Sequence, residues 1–205
     1  MIRPVYSSPI ARSARLILAA LLLTLTRFLS PATAMVVVER DFPDLVQRAE
    51  QIVAGTVADV SQTQKASGSP VTLVTVSDLT FMKGEARDSI TLEFYGGVVG
   101  EYAIKVPDMP TFKTGERVVL FIAGNGVNVC PLVGVWQGSF RLLEDESRGT
   151  EIVASNNGQP VTAVVGNQVR AEARGDGGGG AEALTLDAFR QLIADELANP
   201  SRDSR

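Results

Sequence analysis

The chain of 205 residues contains no histidine, one cysteine, one tryptophan and three tyrosines. Each scarcity excludes something. Without histidine there is no Ser-His-Asp triad and no Cys-His pair, because no imidazole is present to take the nucleophile's proton. Histidine-containing zinc sites go with it. A single thiol, Cys130, can build neither an all-thiolate zinc site nor an internal disulfide. Stability must then come from ordinary apolar burial, which a domain of this length can supply. Cys130 stands in the apolar run Val127-Asn128-Val129-Cys130-Pro131-Leu132, where a small buried hydrophobe is expected in preference to a reactive thiol. No cofactor and no metal are expected.

Long apolar runs are almost as scarce. The one that stands out is Leu16 to Thr26, eleven residues ended by Arg27, short of the ~20 that span a bilayer. Arg3, Arg12 and Arg15 precede it, and Ala32-Thr33-Ala34 follows Pro31. A positive stretch, an apolar stretch and a small-x-small site make a secretory signal peptide over residues 1–34, cleaved after Ala34; the run is too short for an uncleaved anchor. Lipid attachment is excluded, since Cys130 is far from that site. Removing four arginines and no acid takes the formal net charge from −4 to −8. Such a chain repels phosphate backbones, so no nucleic-acid partner is expected. No second segment is long and apolar enough for a membrane span, and the signal peptide makes the mature protein an expected extracytoplasmic one, periplasmic or secreted.

What is present reads as short strands. Asp41-Phe42-Pro43-Asp44 starts a helix, with Asp41 as N-cap and Pro43 in the first turn. Met35 to Val38 reads as a short strand before it. Ile52 to Val60 is rich in β-branched residues and is read as a strand, Ser61 to Pro70 as a polar loop, and Val71 to Phe81 as a second strand. In that strand Val74 and Val76 share one parity while Leu79 and Phe81 share the other, so a bulge near Ser77-Asp78 is needed to bring both pairs to one face. Ile90, Leu92 and Phe94 alternate with polar residues. Gly96-Gly97 and Gly100 break the chain, and an extended, proline-punctuated stretch runs from Tyr102 to Phe112. Arg117 to Ile122 is the most continuously apolar strand and is expected to be central. Gly124-Asn125-Gly126 is expected to turn it into a return strand over Val127–Val135. Phe140–Leu143 follows. Glu151–Ala154 and Val161–Val165 are read as a last hairpin around Asn156-Asn157-Gly158.

Residues 167–183, with Gly177 to Gly180, read as a flexible linker after a barrel domain over 35–166. A helix over 184–199 follows, with Thr185 as N-cap and an apolar stripe of Leu186, Phe189, Leu192, Ile193 and Leu197 that is expected to dock on its own domain. The expected fold is all-β: a small antiparallel β-barrel of OB-like character with a short N-terminal helix and a C-terminal amphipathic helix.

The ordered pieces Leu45 to Val57, Leu79 to Gly84, Gly96-Gly97, Pro110 to Ile122 and Gly134 to Phe140 cover roughly half the chain between residues 45 and 140. In that order they resemble a group of uncharacterised bacterial exported proteins. The resemblance implies an OB-like barrel similar to netrin modules and tissue inhibitors of metalloproteases. Some of the group accompany secreted matrixin-type proteases, which implies an accessory or inhibitory role toward such a partner. Those inhibitors chelate the protease zinc through an N-terminal cysteine and its free amine. Here cleavage would expose Met35, with no cysteine near it, so inhibition would need another contact surface.

The remaining chemistry is thin. Ser139, in Trp136-Gln137-Gly138-Ser139-Phe140, is not in a Gly-x-Ser-x-Gly elbow and reads as a strand-edge residue. Glu93, Glu101, Asp108 and Glu116 are the acids that could pair as in a glycosidase. Gly124-Asn125-Gly126 lacks the third glycine and the helix of a dinucleotide loop, and Glu144-Asp145-Glu146 lacks the spacing of a calcium loop. Tyr95, Tyr102 and Trp136 each stand beside a glycine- or proline-rich break, where an aromatic ring is exposed for binding or, for Trp136, caps the core. The expected function is a non-catalytic binding or accessory module that contacts another extracytoplasmic protein, such as a secreted protease. A carboxylate-dependent hydrolase and a structural envelope component are the alternatives.

Overall fold

The computed structural model describes residues 39–146, 148–165, 167–172 and 182–200. The expected signal peptide, the expected strand over Met35–Val38 and the glycine run Gly177–Gly180 lie outside the described residues.

Helix α1 is Phe42–Arg48. Its Asp41 carboxylate accepts the Asp44 N–H at 2.8 Å, and Pro43 sits in the first turn, where no backbone donor is needed. At its other end the Lys83 Nζ donates to the carbonyls of Val46 (2.9 Å) and Gln47 (3.0 Å), satisfying acceptors the helix leaves over. Ten strands follow among the described residues: β1 Gln51–Gln64, β2 Pro70–Lys83, β3 Ile90–Tyr95, β4 Gly97–Val99, β5 Tyr102–Ile104, β6 Arg117–Ile122, β7 Ser139–Asp145, β8 Thr150–Ser155, β9 Val161–Val165 and β10 Gln168–Ala171. Helix α2, Leu186–Ala198, closes the described chain.

Six strands make one antiparallel sheet in the order β3-β2-β1-β6-β7-β8, with β4-β5 and β9-β10 as separate hairpins. The fold is all-β with a helix at each end. β6 lies between β1 and β7, and five of its six residues are buried, as its unbroken apolar run requires. The parity switch in β2 is resolved where it was expected. Ala54 faces Thr80 and Thr56 faces Ser77, so Asp78 and Leu79 together oppose the single residue Gly55, and Asp78 takes a φ of 51°. Val74, Val76, Leu79 and Phe81 consequently join one apolar cluster.

The sheet is not closed into a barrel. Other parts of the chain meet both edges instead. Along β3, the Tyr95 N–H donates to the Val129 carbonyl at 2.9 Å, and the Glu93 N–H to Asn125 Oδ1 at 3.0 Å. Along β8, the Val153 N–H donates to the Leu184 carbonyl at 2.8 Å, and Ile152 forms an isolated bridge with Thr185. The same use of β3 explains why Val127–Val135 is not a return strand. After Gly124 (φ 65°) and Gly126 (φ 78°) the segment leans on β3, only Leu132 bridges back to Ile122, and Val135–Gly138 is a 3-10 turn. Three other boundaries differ. β1 and β2 extend as a ribbon through Gln64 and Pro70, because ladder pairing holds Ser61–Gln64 although these residues are exposed. β9 pairs with β10 rather than forming a regular hairpin with β8, to which the Ala154–Pro160 bridge and the Ser155 N–H bond to the Gln159 carbonyl lead. And β10 occupies the start of the stretch expected to be a linker.

The core is double. On one sheet face Ile52, Ala54, Val119, Phe121 and Phe140 pack under α1 and α2; on the other Val53, Val57, Val118, Leu120 and Ile122 pack with Leu92 and Phe94. The C-terminal helix docks on its own domain, as its stripe predicts: Phe189 and Ile193 are fully buried. The Phe189 ring lies 5.1 Å from that of Phe140 and 5.6 Å from that of Phe42.

Candidate functional site

The three aromatics singled out from sequence are not brought together. Tyr95 ends β3, half-buried; Tyr102 opens β5 and is 67% exposed; Trp136 stands in the 3-10 turn and is 43% exposed. Trp136 therefore does not cap the core. The ring contacts among the described residues are all between phenylalanines, and Tyr95 and Tyr102 are not on the cleft that Trp136 lines.

Two surfaces result. The first borders the end of β3. The β4–β5 hairpin starts two residues beyond Tyr95, and Tyr95 is bonded to the segment that carries Val127 and Val129. Around this strand end Val98 is 59%, Val127 87% and Val129 50% exposed, in addition to Tyr102. Val98 is held on both sides, pairing with Ala103 along the hairpin and donating its N–H to the Gln62 side chain, Oε1, at 2.8 Å.

The second surface is a cleft of about 770 Å³ with an apolar floor of Leu45, Met109, Phe140 and Val169. Trp136 stands on its wall because the backbone before it is left-handed twice in succession, at Gly134 (φ 63°) and Val135 (φ 60°). For glycine that is costless, but for β-branched Val135 it costs on the order of 1–2 kcal/mol. Such strain persists only where surroundings over-determine it. Gln137 provides the restraint: its Oε1 accepts the Arg40 N–H at 2.6 Å and its Nε2 donates to the Gly134 carbonyl at 3.2 Å. Gly138 is needed for the close approach, since a Cβ there would lie 2.5 Å from the Val133 carbonyl. Ser139, next in line, is the buried first residue of β7, which lies inside the sheet between β6 and β8.

The four acids considered for catalysis are dispersed. Glu93 is paired with Lys65, Glu116 takes Arg141 Nη1 at 2.8 Å, Glu101 lies in the β4–β5 turn, and only Asp108 lines the cleft. Two carboxylates elsewhere are held below their ordinary range. Burial works against the charge on Asp44, but the hydrogen bond from Arg40 at 2.9 Å and the nearby Arg48 more than offset it. Glu151 is held down chiefly by a two-pronged bond from Arg117, both contacts at 2.8 Å. A lowered carboxyl is the wrong direction for a general acid. Burial pushes the Cys130 thiol up to about 11, away from thiolate chemistry. Among the described residues no three Asp, Glu or Cys side chains gather as a metal site would require, and no helix is long and apolar enough to cross a membrane.

Sequence reasoning missed Val98, which lies in the glycine break, Val127 and Val129, which read as ordinary strand residues, and the cleft residues Asn156, Gln159 and Gln168. The class that fold and surfaces define is an all-β domain built on a six-stranded antiparallel sheet with capped edges. Comparison with protein-family models, curated proteins and solved structures finds no match to the chain.

Proposed function

We propose that the protein is a non-catalytic binding or accessory module that contacts another extracytoplasmic protein, a secreted protease being the partner the sequence resemblance favours. The observation that carries this reading is the group of exposed apolar side chains around the end of β3: Val98, Tyr102, Val127 and Val129. Apolar residues held in the open by hydrogen-bonded backbone lose little entropy when a partner covers them, which is what a protein-contact surface needs. The absence of histidine and the separate engagement of Glu93 and Glu116 support a role without chemistry. The export signal over residues 1–34 supports an extracytoplasmic site of action, periplasmic or secreted.

The test is photocrosslinking from culture medium and periplasm, with the chain beginning at Met35 carrying benzoylphenylalanine in place of Tyr102. A control carries it in place of Glu85, in the loop between β2 and β3. A single protein crosslinked from position 102, and lost when Val98 and Val127 are both changed to serine, is the expected result. Equal labelling from both positions, or labelling that survives the serine changes, refutes the reading.

A further inference from the structure

The cleft under Trp136 has chemistry that the protein contact at β3 does not use. Its apolar floor sits below a rim of Asp108, Asn156, Gln159 and Gln168. These four come from the stretch before β6, the β8–β9 turn and β10. The turn is held by backbone and by Asn157, whose Oδ1 accepts both the Ser155 hydroxyl and the Gln159 N–H. Arg141 donates from Nε to the Asn156 carbonyl at 3.1 Å. Among the described residues the side chains of Asn156 and Gln159 take no part in this scaffolding, so other groups hold the turn while its two amides line the cleft.

The ligand class follows from these groups. Amide side chains present a donor and an acceptor side by side, and a carboxylate presents acceptors only, so the rim matches hydroxyl and acetamido groups. Anionic ligands are disfavoured, because Glu39 and Asp108 line the cleft and the guanidinium of its one lining cation, Arg40, is held by Asp44 at 2.9 Å. An exposed indole offers a flat apolar face suited to the C–H face of a pyranose ring whose hydroxyls are equatorial. A concave site with an apolar base and a few convergent polar groups is the usual architecture of a small-ligand site. From these features we infer that the Trp136 cleft binds a neutral saccharide of gluco-configured pyranose rings, one ring stacked on the indole and its substituents bonded to Asp108, Asn156, Gln159 and Gln168. The inference goes beyond the protein contact and does not depend on it.

Trp136 is the sole tryptophan of the chain, so its emission reports the site directly. The purified protein is titrated with cellotriose and with tri-N-acetylchitotriose, and with trigalacturonate as the acidic counterpart. At least one neutral trisaccharide gives a saturable change in emission, and trigalacturonate binds about tenfold more weakly or not at all. Asn156→Ala and Gln159→Ala each weaken the neutral sugar by about tenfold with an unchanged circular-dichroism spectrum, since neither side chain supports the fold. Trp136→Ala, followed by calorimetry, abolishes binding. Failure of both neutral sugars to give a saturable change overturns the inference. So does binding that survives Trp136→Ala or is indifferent to the two amide changes. Neither result bears on crosslinking from position 102.

Discussion

At the scale of single residues, Gly55 shows how closely the sheet is fitted at its bulge. A Cβ at this position would lie 2.7 Å from the Ser77 carbonyl and 2.8 Å from Leu79 Cδ2, and its φ is not in the left-handed region, so the demand is for space alone. Gly55→Ala is therefore expected to destabilise the fold by about 1–3 kcal/mol, the range for overpacking a well-filled core. Thermal unfolding checks this, and an unchanged midpoint would mean the bulge gives way freely. The Arg117–Glu151 pair makes a pH prediction. Glu151 titrates below its ordinary 4.5 in the folded protein. Its contribution is therefore present above that value and is lost as pH falls through the lowered folded value. Glu151→Gln should be less stable than the parent at pH 7 by about 0.2–1 kcal/mol, in line with partly exposed pairs. The difference should close in acid below 4.5. Urea denaturation at a series of pH values decides it; a gap of constant size would show that the pair's charge is not what stabilises.

At the scale of elements, helix α2 is fixed by Phe189, which is wholly buried with rings at 5.1, 5.6 and 6.3 Å. Phe189→Ala should cost about 3–5 kcal/mol, and amide exchange should quicken along α2 well before it does in β6. Uniform loss of protection would place the helix in the same cooperative unit as the sheet. Elements like this one were legible from sequence because their signals are local: a Thr185 cap, a stripe at helical spacing, an unbroken apolar β6, a parity switch that can be mended only by a bulge. Others had no local signal. β10 is four residues long with Gln168 and Arg170 exposed, and exists because β9 offers it a partner. Val127 and Val129 share the composition of a strand, but the Val127 N–H closes the turn onto the Gly124 carbonyl and the Val129 carbonyl is spent on the edge of β3. For the same reason the sequence showed Trp136 as a candidate, while the rest of its cleft stayed hidden. Asp108, Asn156, Gln159 and Gln168 meet only through tertiary placement.

At the scale of the whole molecule, the sealed edge of β8 carries a prediction. The segment before α2 donates the Leu184 N–H to the Val161 carbonyl at 2.7 Å and accepts the Val153 N–H at 2.8 Å. Leu184→Pro removes the first bond and disturbs the second. Exchange of the Val153 amide should accelerate, and self-association should appear by sedimentation, because an uncovered edge strand is a template for another copy. An unaltered Val153 amide would show that the edge is protected by something else. The same closure has a kinetic side. Gln47 in α1 donates to the Glu196 carbonyl in α2, 149 positions along the chain, and the rings of Phe42 and Phe189 touch across a similar interval. Contacts of such separation reward the chain only after a very large loop has closed. Search time, rather than final stability, is thus where this architecture is demanding. The protein should fold slowly for its size, and it should pass through a stage in which the sheet has formed and its helical face still lies bare.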